Sequence, residues 1–191
     1  MARDKTDRRE EILAIAARRY AVSGFHGVSI DDLGAELGIS GPAIYRYFRG
    51  KEAILAEMLV DISVRLLEGA RSRVAEHDDP EEQLDALLAF HADFALTEPE
   101  LIAVQYRDLD SAPEIDRRRV RRLQREYVAI WVEVLRAVHP GTPEPRATAA
   151  VQAAFGLLNS TPYSRRGDEA DMAALLTGMA RAALAHACGA E

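Results

Sequence analysis

Two tyrosines and an arginine stand at consecutive positions of one short segment, where a single helical face could present all three. Tyr45, Arg46 and Tyr47 lie between Ile44 and Phe48, which are four residues apart and therefore share one side of a helix. Phenol hydroxyls and a guanidinium can hydrogen-bond phosphate oxygens and base edges. We expect Ile44 and Phe48 to be buried and the polar side chains to face double-stranded DNA. The alternative is that the tyrosines are half-buried aromatics of a small helical domain.

The residues upstream predict two short helices joined by a tight turn. Ser29 is placed as an N-cap, and Asp32 three residues later completes a capping pattern. Gly38 falls where a helix end favours positive φ, Ser40 can cap the next helix, and Pro42 fits its first turn. The segment therefore predicts a helix-turn-helix whose second helix carries the tyrosines.

Residues 29–52 resemble the N-terminal signature of the TetR-type bacterial transcriptional repressors. The matching elements are Ser29 opening helix 2, the turn Gly38-Ile39-Ser40, the recognition segment Tyr45-Arg46-Tyr47-Phe48, and the pair Lys51-Glu52 starting helix 4. The motif ends within about the first quarter of the chain. Two positions depart from the family pattern: Gly34, where the family usually has Ala, and Gly41-Pro42 at the head of the recognition helix.

The resemblance, together with the tendency of helix N-termini to bind phosphate, predicts which residues contact DNA. Gly41 would let the recognition helix approach the groove floor. The predicted DNA-binding residues are Ser29, Ser40, Gly41, Pro42, Ala43, Tyr45, Arg46, Tyr47 and Lys51.

Charge is distributed unevenly along the chain. The 191 residues carry 24 Lys and Arg against 31 Asp and Glu, a net charge of −7. Residues 1–52, however, hold nine basic and eight acidic side chains, so the acidity belongs to the remainder. This asymmetry fits a two-part protein in which only one end meets phosphates.

Composition narrows the class of protein further. A hydrophobic content of 48% with 29% charged residues is ordinary for a globular protein, and the single cysteine, Cys188, excludes an internal disulfide framework. The N-terminal residues are charged rather than apolar, and no apolar span reaches membrane length. We expect a cytoplasmic protein with no membrane association, no cofactor and no metal site.

Apolar residues recurring at three- and four-residue spacing predict an all-α chain. After a frayed arm at residues 1–6, we expect helices over residues 7–23, two more within 29–50, and further helices at about 51–76, 81–96, 100–108, 114–139, 144–159 and 169–187. With the resemblance, this predicts a nine-helix TetR-like fold. Residues 1–50 would be a three-helix helix-turn-helix DNA-binding domain, and residues 51–191 a helical effector-binding and dimerisation domain.

Aromatic and polar residues of the predicted helices 5 to 8 have the composition of a ligand pocket. The family keeps its effector cavity among helices 4 to 8, so we expect the ligand-binding residues to be Phe90, His91, Phe94, Gln105, Tyr106, Tyr127, Trp131, Phe155 and Asn159. The alternative for His91, Gln105 and Asn159 is that they are core residues with satisfied hydrogen bonds.

Two further patterns have a functional and a structural interpretation. Six arginines between Arg117 and Arg125 are either a solvated face or a site for an anionic effector head, such as the phosphates of a coenzyme A thioester. Helix 7 and its surroundings are similar to TetR-type regulators of lipid catabolism. Helices 8 and 9 are rich in Ala and Gly, which allows close packing, and the family dimerises through these two helices.

The sequence gives little support to an enzyme. It has no glycine-rich phosphate loop, no His-Glu-x-x-His and no nucleophile elbow. The function predicted is a ligand-responsive DNA-binding transcriptional regulator. It would act as a homodimeric repressor released from a palindromic operator by a small-molecule effector such as an acyl-CoA or other lipid-like compound. The alternatives are an effector-free dimeric DNA-binding protein and, with less support, a helical enzyme.

Overall fold

The computed structural model of the chain describes residues 2–164 and 168–189, and these are helical with no strand among them. The helices are α1 Ala2–Ser23, α2 Ile30–Glu36, α3 Gly41–Ile44, α4 Lys51–Ala75, α5 Pro80–Thr97, α6 Pro99–Asp108, α7 Glu114–Val138, α8 Glu144–Leu158 and α9 Glu169–Ala187. Single turns lie at Leu109–Ser111 and Thr161–Ser164. The predicted all-α fold is confirmed.

Two helix boundaries differ from those predicted. α1 begins at Ala2 rather than residue 7, so the stretch predicted as a frayed arm is helical from Ala2 onward. The recognition helix α3 ends at Ile44, and tighter i to i−3 hydrogen bonds carry the chain through the next three residues.

By packing, the chain divides into two compact units. The first comprises Met1–Ile62 with Glu100–Arg121, and the second Ser63–Pro99 with Arg122–Glu191. The domains predicted at residues 1–50 and 51–191 remain a prediction. The compact units follow a different division, because the first half of α4, α6 from Glu100 onward and the start of α7 belong to the same unit as the helix-turn-helix.

The first unit is held by an apolar core and by two arginines that tie distant segments together. Its fully buried residues include Ile12, Tyr20, Leu33, Ile44 and Ile54. Arg9 pairs with Glu57 of α4, donates to the Tyr47 carbonyl and lies 4.1 Å from the centroid of the Phe48 ring. These contacts bring α1, the end of the recognition segment and α4 together.

Arg107 attaches α6 to the end of α1. Its guanidinium donates to the Tyr20 and Ala21 carbonyls in the last turn of α1, where the Tyr20 carbonyl also accepts from the Gly24 N–H at 2.8 Å. The buried Asp108 carboxylate accepts from the same guanidinium at 3.1 Å. α6 is therefore bound to α1 by hydrogen bonds from a charged side chain.

In the second unit, α5, α8 and α9 pack on one another, and α7 contributes its apolar face. Thr161 is buried and donates to the Ala95 carbonyl at 2.5 Å, which fixes the turn after α8 against α5. Close packing of α4 on α5 depends on Gly69, because a Cβ there would meet the Phe90 ring. This unit positions the predicted ligand-binding residues of α5, α7 and α8.

Candidate DNA-binding surface and buried aromatic cluster

The recognition segment presents Tyr45 and Arg46 outward. Tyr45 is 57% exposed and Arg46 is exposed, whereas Ile44 and Phe48 are buried, as the four-residue spacing predicted. Tyr47 is half-buried. The unit thus places one phenol and one guanidinium in solvent on the same turn.

Ser40, Pro42 and Ala43 lie at the start of α3, with Ser40 and Pro42 exposed and Ala43 half-buried. Ser40 stands at the N-cap position but its side chain makes no capping hydrogen bond. Its hydroxyl is therefore not committed to the α3 N-terminus. Ser40, Pro42 and Ala43 therefore lie within six residues of the exposed Tyr45 and Arg46, whereas Gly41 is buried.

Two other residues predicted to contact DNA make hydrogen bonds within the unit. The Ser29 hydroxyl accepts from the Asp32 N–H at 3.1 Å, and the Asp32 carboxylate accepts from the Ser29 N–H at 2.8 Å, which completes a capping box. The Ser29 hydroxyl also donates to this carboxylate at 2.6 Å. The hydrogen bonds that the Ser29 hydroxyl and N–H donate lower the pKa of the Asp32 carboxyl. Lys51 donates to the Phe25 and Val28 carbonyls, both at 3.1 Å. Ser29 and Lys51 are therefore both hydrogen-bonded to groups within the first unit.

Gly34 and Gly41, the two departures from the family pattern, lie against each other. A Cβ on Gly34 would stand 2.8 Å from the Gly41 nitrogen and 2.9 Å from the Ile39 carbonyl oxygen. A Cβ on Gly41 would meet the Asp31 side chain, and Gly41 itself is buried. The two glycines let α2 and α3 approach closely. Packing within the motif therefore explains why position 41 is a glycine, which the sequence alone did not reveal.

The second region of interest, which we call the aromatic cluster, comprises His91 and Phe94 of α5, Tyr127 and Trp131 of α7, and Phe155 of α8. The His91 ring stacks on Phe155 with centroids 4.7 Å apart and an interplanar angle of 2°. Trp131 stands edge-on to both, at 5.9 Å from His91 and 5.0 Å from Phe155. Four of the five rings are buried, and Phe155 is half-buried.

A chain of hydrogen bonds runs through the aromatic cluster. His91 Nδ1 lies 2.8 Å from the Tyr127 hydroxyl, and His91 Nε2 lies 3.0 Å from Asn159 Oδ1. Because an amide oxygen only accepts, Nε2 carries the proton and Nδ1 accepts from the phenol. Burial lowers the pKa of His91 to about 4, against the raising effect of Asn159. Burial likewise raises the pKa of Tyr127. The cluster is therefore neutral at pH 7.

The structure brings together six of the nine residues predicted to bind ligand, namely the aromatic cluster and Asn159. Phe90 packs on Gly69 instead, with Arg73 5.9 Å from its ring centroid. Gln105 and Tyr106 belong to the other compact unit, where Gln105 is half-buried and Tyr106 is 67% exposed.

A separate open groove of about 420 Å³ lies between α5 and α9. It is lined by Ala89, Ala92, Asp93, Leu96, Ala170, Ala173, Ala174 and Thr177, and none of these was predicted to bind ligand. Within the described residues, no group of three or more His, Cys, Asp or Glu side chains could hold a metal ion. No described helix is long and apolar enough to cross a bilayer.

The helix 7 arginines are largely engaged with carboxylates. Arg117 and Arg118 both pair with Glu114, Arg121 pairs with Asp110 at 2.9 Å, and Arg122 lies 3.8 Å from Glu126. This pattern is typical of a solvated, charge-balanced face.

Comparison with known proteins agrees with this architecture. Residues 12–58 match the family described as bacterial regulatory proteins, tetR family, and residues 77–184 match the tetracyclin repressor-like C-terminal domain. The chain therefore belongs to the TetR family of helix-turn-helix transcriptional regulators.

Two curated proteins illustrate the sequence relationships. The uncharacterized HTH-type transcriptional regulator YdgC of Bacillus subtilis is 33% identical over 36% of this chain, and the match spans only 35% of YdgC. The HTH-type transcriptional repressor KstR2 of Rhodococcus jostii is 27% identical over 83% of this chain and 78% of its own length.

Solved structures show the same fold. A TetR-family regulator from Bordetella parapertussis superposes with a TM-score of 0.82 at 25% identity, covering 94% of this chain and 93% of that one. AibR, solved in complex with isovaleryl coenzyme A and operator DNA, gives a TM-score of 0.75 at 19% identity, covering 90% of this chain and 97% of AibR.

Proposed function

We propose that this chain is a homodimeric repressor that binds a palindromic operator and is released from it by a small-molecule effector. The observation that carries the proposal is the pairing of an exposed recognition segment in one unit with a buried aromatic cluster containing polar groups in the other. The repressor assignment is supported by KstR2, whose match covers most of both chains.

On the DNA side, Tyr45 and Arg46 are the residues we propose to contact the operator directly. Both are exposed, and they adjoin Ser40, Pro42 and Ala43 at the start of α3, the part of a recognition helix that meets base edges. Ser29 and Lys51 would act chiefly by fixing the motif, with backbone N–H groups beside them available to phosphates.

The proposed dimer forms through α8 and α9. On α9, Leu175 and Met179 are 54% and 49% exposed and lie four residues apart, so they form one apolar strip on a helix rich in alanine. A lone helix-turn-helix reads few base pairs, and a two-fold dimer doubles the site. Replacing both residues with Glu should yield a monomer by light scattering and abolish operator binding.

The proposed effector is an acyl-CoA or a similar lipid-like compound. AibR provides support, since it shares the fold and was solved with isovaleryl coenzyme A, a thioester of coenzyme A. Arg118 and Arg122 are exposed arginines of α7 available to an anionic head, although each already has a carboxylate neighbour. Loss of acyl-CoA response on charge reversal at both would support this role, and an unchanged response would end it.

Effector binding would act by changing which dimer conformation is populated. α4 contributes residues to both compact units, and α6 is bound to the end of α1 through Arg107. Movement of either helix would therefore change the spacing of the two recognition segments. The difference in effector affinity between the two states sets the extent of release.

A binding experiment tests the proposal. Operator fragments selected from random DNA by the purified protein should be palindromic, and fluorescence anisotropy should give a salt-dependent Kd. Acyl-CoAs, free fatty acids, steroids and cationic drugs are then added while melting temperature and operator binding are followed. Release by one class supports the repressor. A palindromic operator that no compound releases would instead favour an effector-free dimer, and no selected operator would contradict the proposal as a whole.

A further inference from the structure

One polar group in the aromatic cluster has no hydrogen-bond partner. The Trp131 side chain is 0% exposed, and its indole N–H meets no acceptor with hydrogen-bonding geometry. Buried indole N–H groups normally find an acceptor, because an unpaired donor has lost its water without replacement. An unpaired donor inside a closed set of rings is a feature that a ligand could satisfy.

The neighbouring polar groups are already committed to one another. The Tyr127 hydroxyl donates to His91 Nδ1 at 2.8 Å, and His91 Nε2 donates to Asn159 Oδ1 at 3.0 Å. Burial raises the pKa of the Tyr127 hydroxyl and the nearby Trp131 indole acts in the opposite direction, but the indole N–H does not reach hydrogen-bonding geometry. Among the polar groups of the aromatic cluster and Asn159 named above, the Trp131 indole N–H is therefore the donor that lacks an acceptor.

The charge of the aromatic cluster restricts which acceptor is suitable. His91 is buried and neutral, and no Lys, Arg, Asp or Glu is among the cluster residues. A carboxylate placed there would be desolvated without a counter-charge, which is strongly unfavourable. A hydroxyl would bring an additional donor needing its own acceptor. A carbonyl oxygen brings an acceptor alone and no charge.

Phe155 is the ring of the aromatic cluster that lies nearest to the surface. Phe155 is half-buried and stacks on the fully enclosed His91, so it is the cluster ring in partial contact with solvent. Its centroid lies 5.0 Å from Trp131, and Asn159 follows it by one helical turn on α8. Displacement of this single ring would open a space beside the indole lined by aromatic surface.

We propose that the effector inserts an uncharged carbonyl group, such as that of a thioester, into the aromatic cluster in place of the Phe155 ring, where it accepts a hydrogen bond from the Trp131 indole N–H. This assignment rests on the proposed effector-released repressor and specifies the chemistry of its site. Any anionic portion of the effector stays outside the cluster, and a free carboxylate is rejected.

Three probes distinguish binding of the carbonyl group from binding of the eight-carbon chain that carries it. S-octanoyl-N-acetylcysteamine is a neutral thioester, S-octyl-N-acetylcysteamine is the matching thioether without the thioester carbonyl, and octanoate is the anionic acid. Trp131 is the single tryptophan of the sequence, so intrinsic fluorescence of the full-length protein reports on the cluster directly. Calorimetry measures binding to variants that lack Trp131.

The wild-type protein should bind the thioester about tenfold more tightly than the thioether, as expected for one buried hydrogen bond, and octanoate more weakly still. The thioester should also shift the Trp131 emission. Trp131→Phe keeps an aromatic ring but removes the donor, so it should bind thioester and thioether equally. Phe155→Ala removes the ring to be displaced and should bind the thioester more tightly than wild type. Tyr106→Phe, at an exposed position of the other unit, should match wild type.

Equal binding of thioester and thioether by the wild-type protein, tighter binding of octanoate, or an unchanged preference in Trp131→Phe would each overturn the inference. So would the absence of any emission change with all three probes. Operator binding distinguishes this failure from failure of the proposed function. Release of operator by a probe that leaves Trp131 emission unchanged would preserve the repressor and refute the carbonyl site. A carbonyl-dependent emission change without operator release would preserve the site and refute effector-controlled repression.

Discussion

The DNA-binding surface and the aromatic cluster both combine aromatic rings with polar groups, but they are built over very different distances in sequence. Tyr45 and Arg46 are adjacent, and the capping box of Ser29 spans three residues. In the cluster, His91 meets partners that are 36 and 68 residues away. The first region depends on local helix geometry, and the second on how α5, α7 and α8 pack.

The two regions also differ in which side-chain groups remain available to bind a partner. On the DNA-binding surface, Lys51 and Ser29 are engaged inside the motif, so the capacity lies in the exposed Tyr45 and Arg46. In the aromatic cluster, exposure is almost absent, and the capacity lies in the unpaired Trp131 N–H. The residues we propose to contact DNA are thus identified by their exposure, and the residue we propose to contact the effector by its burial without a hydrogen-bond partner.

The largest expected effect contrasts two residues that the sequence placed in one pocket. Trp131→Ala should lower the free energy of unfolding by about 3–5 kcal/mol because it leaves a large cavity in a fully buried site. Tyr106→Ala, at a position 67% exposed, should change it by less than about 0.5 kcal/mol. Urea denaturation at fixed protein concentration measures both. Similar losses from the two variants would contradict the burial difference.

Lowering the pH should destabilise the aromatic cluster through His91. Its pKa is about 4 in the folded protein, below the unfolded value of roughly 6.5, so between these values the unfolded state binds the extra proton. The contribution is fully present above about pH 6.5 and declines as the pH falls, by roughly 3 kcal/mol at pH 4. Denaturation curves from pH 7.5 to 4 should show this slope, and His91→Gln should remove it. Parallel curves for the two proteins would refute the neutral buried histidine.

Alanine substitution at two helical glycines should have opposite effects. Gly34→Ala should destabilise by about 1–3 kcal/mol, because the new Cβ would press on the backbone at Ile39 and Gly41. Gly156→Ala has nothing within 4 Å and should stabilise by up to about 1 kcal/mol through helix propensity. Thermal unfolding of variants whose oligomeric state is checked by light scattering provides the measurement. A neutral or stabilising Gly34→Ala would disprove the close approach of α2 and α3.

The smallest expected effect separates a DNA contact from a structural cation. Arg46→Gln should reduce the slope of log K against log salt by about one and leave the melting temperature unchanged, since Arg46 is exposed. Lys51→Met should lower the melting temperature, because two carbonyl acceptors lose their donor, while preserving most of the salt slope. An equal reduction of the salt slope in both variants would indicate that Lys51 also contacts phosphate.

The sequence by itself determined the helices, the helix-turn-helix and its capping box, because these features depend on residues within one or two turns of each other. The spacing of Ile44 and Phe48 was sufficient to separate the buried from the exposed face of the recognition segment. The TetR-type signature was also readable, since its glycines, serines and aromatic residues lie in one continuous stretch.

Only the tertiary structure decided which distant residues share a site. It placed Arg9 against Glu57 and Phe48, set Gly34 against Gly41, and separated Phe90 from the ring of His91 although the two are adjacent in sequence. Helical periodicity fixes the direction of a side chain around its own axis but not the rotation of one helix against another. The unpaired indole of Trp131 and the neutral state of His91 follow from that packing, because burial and hydrogen-bond partners exist only once the helices have assembled.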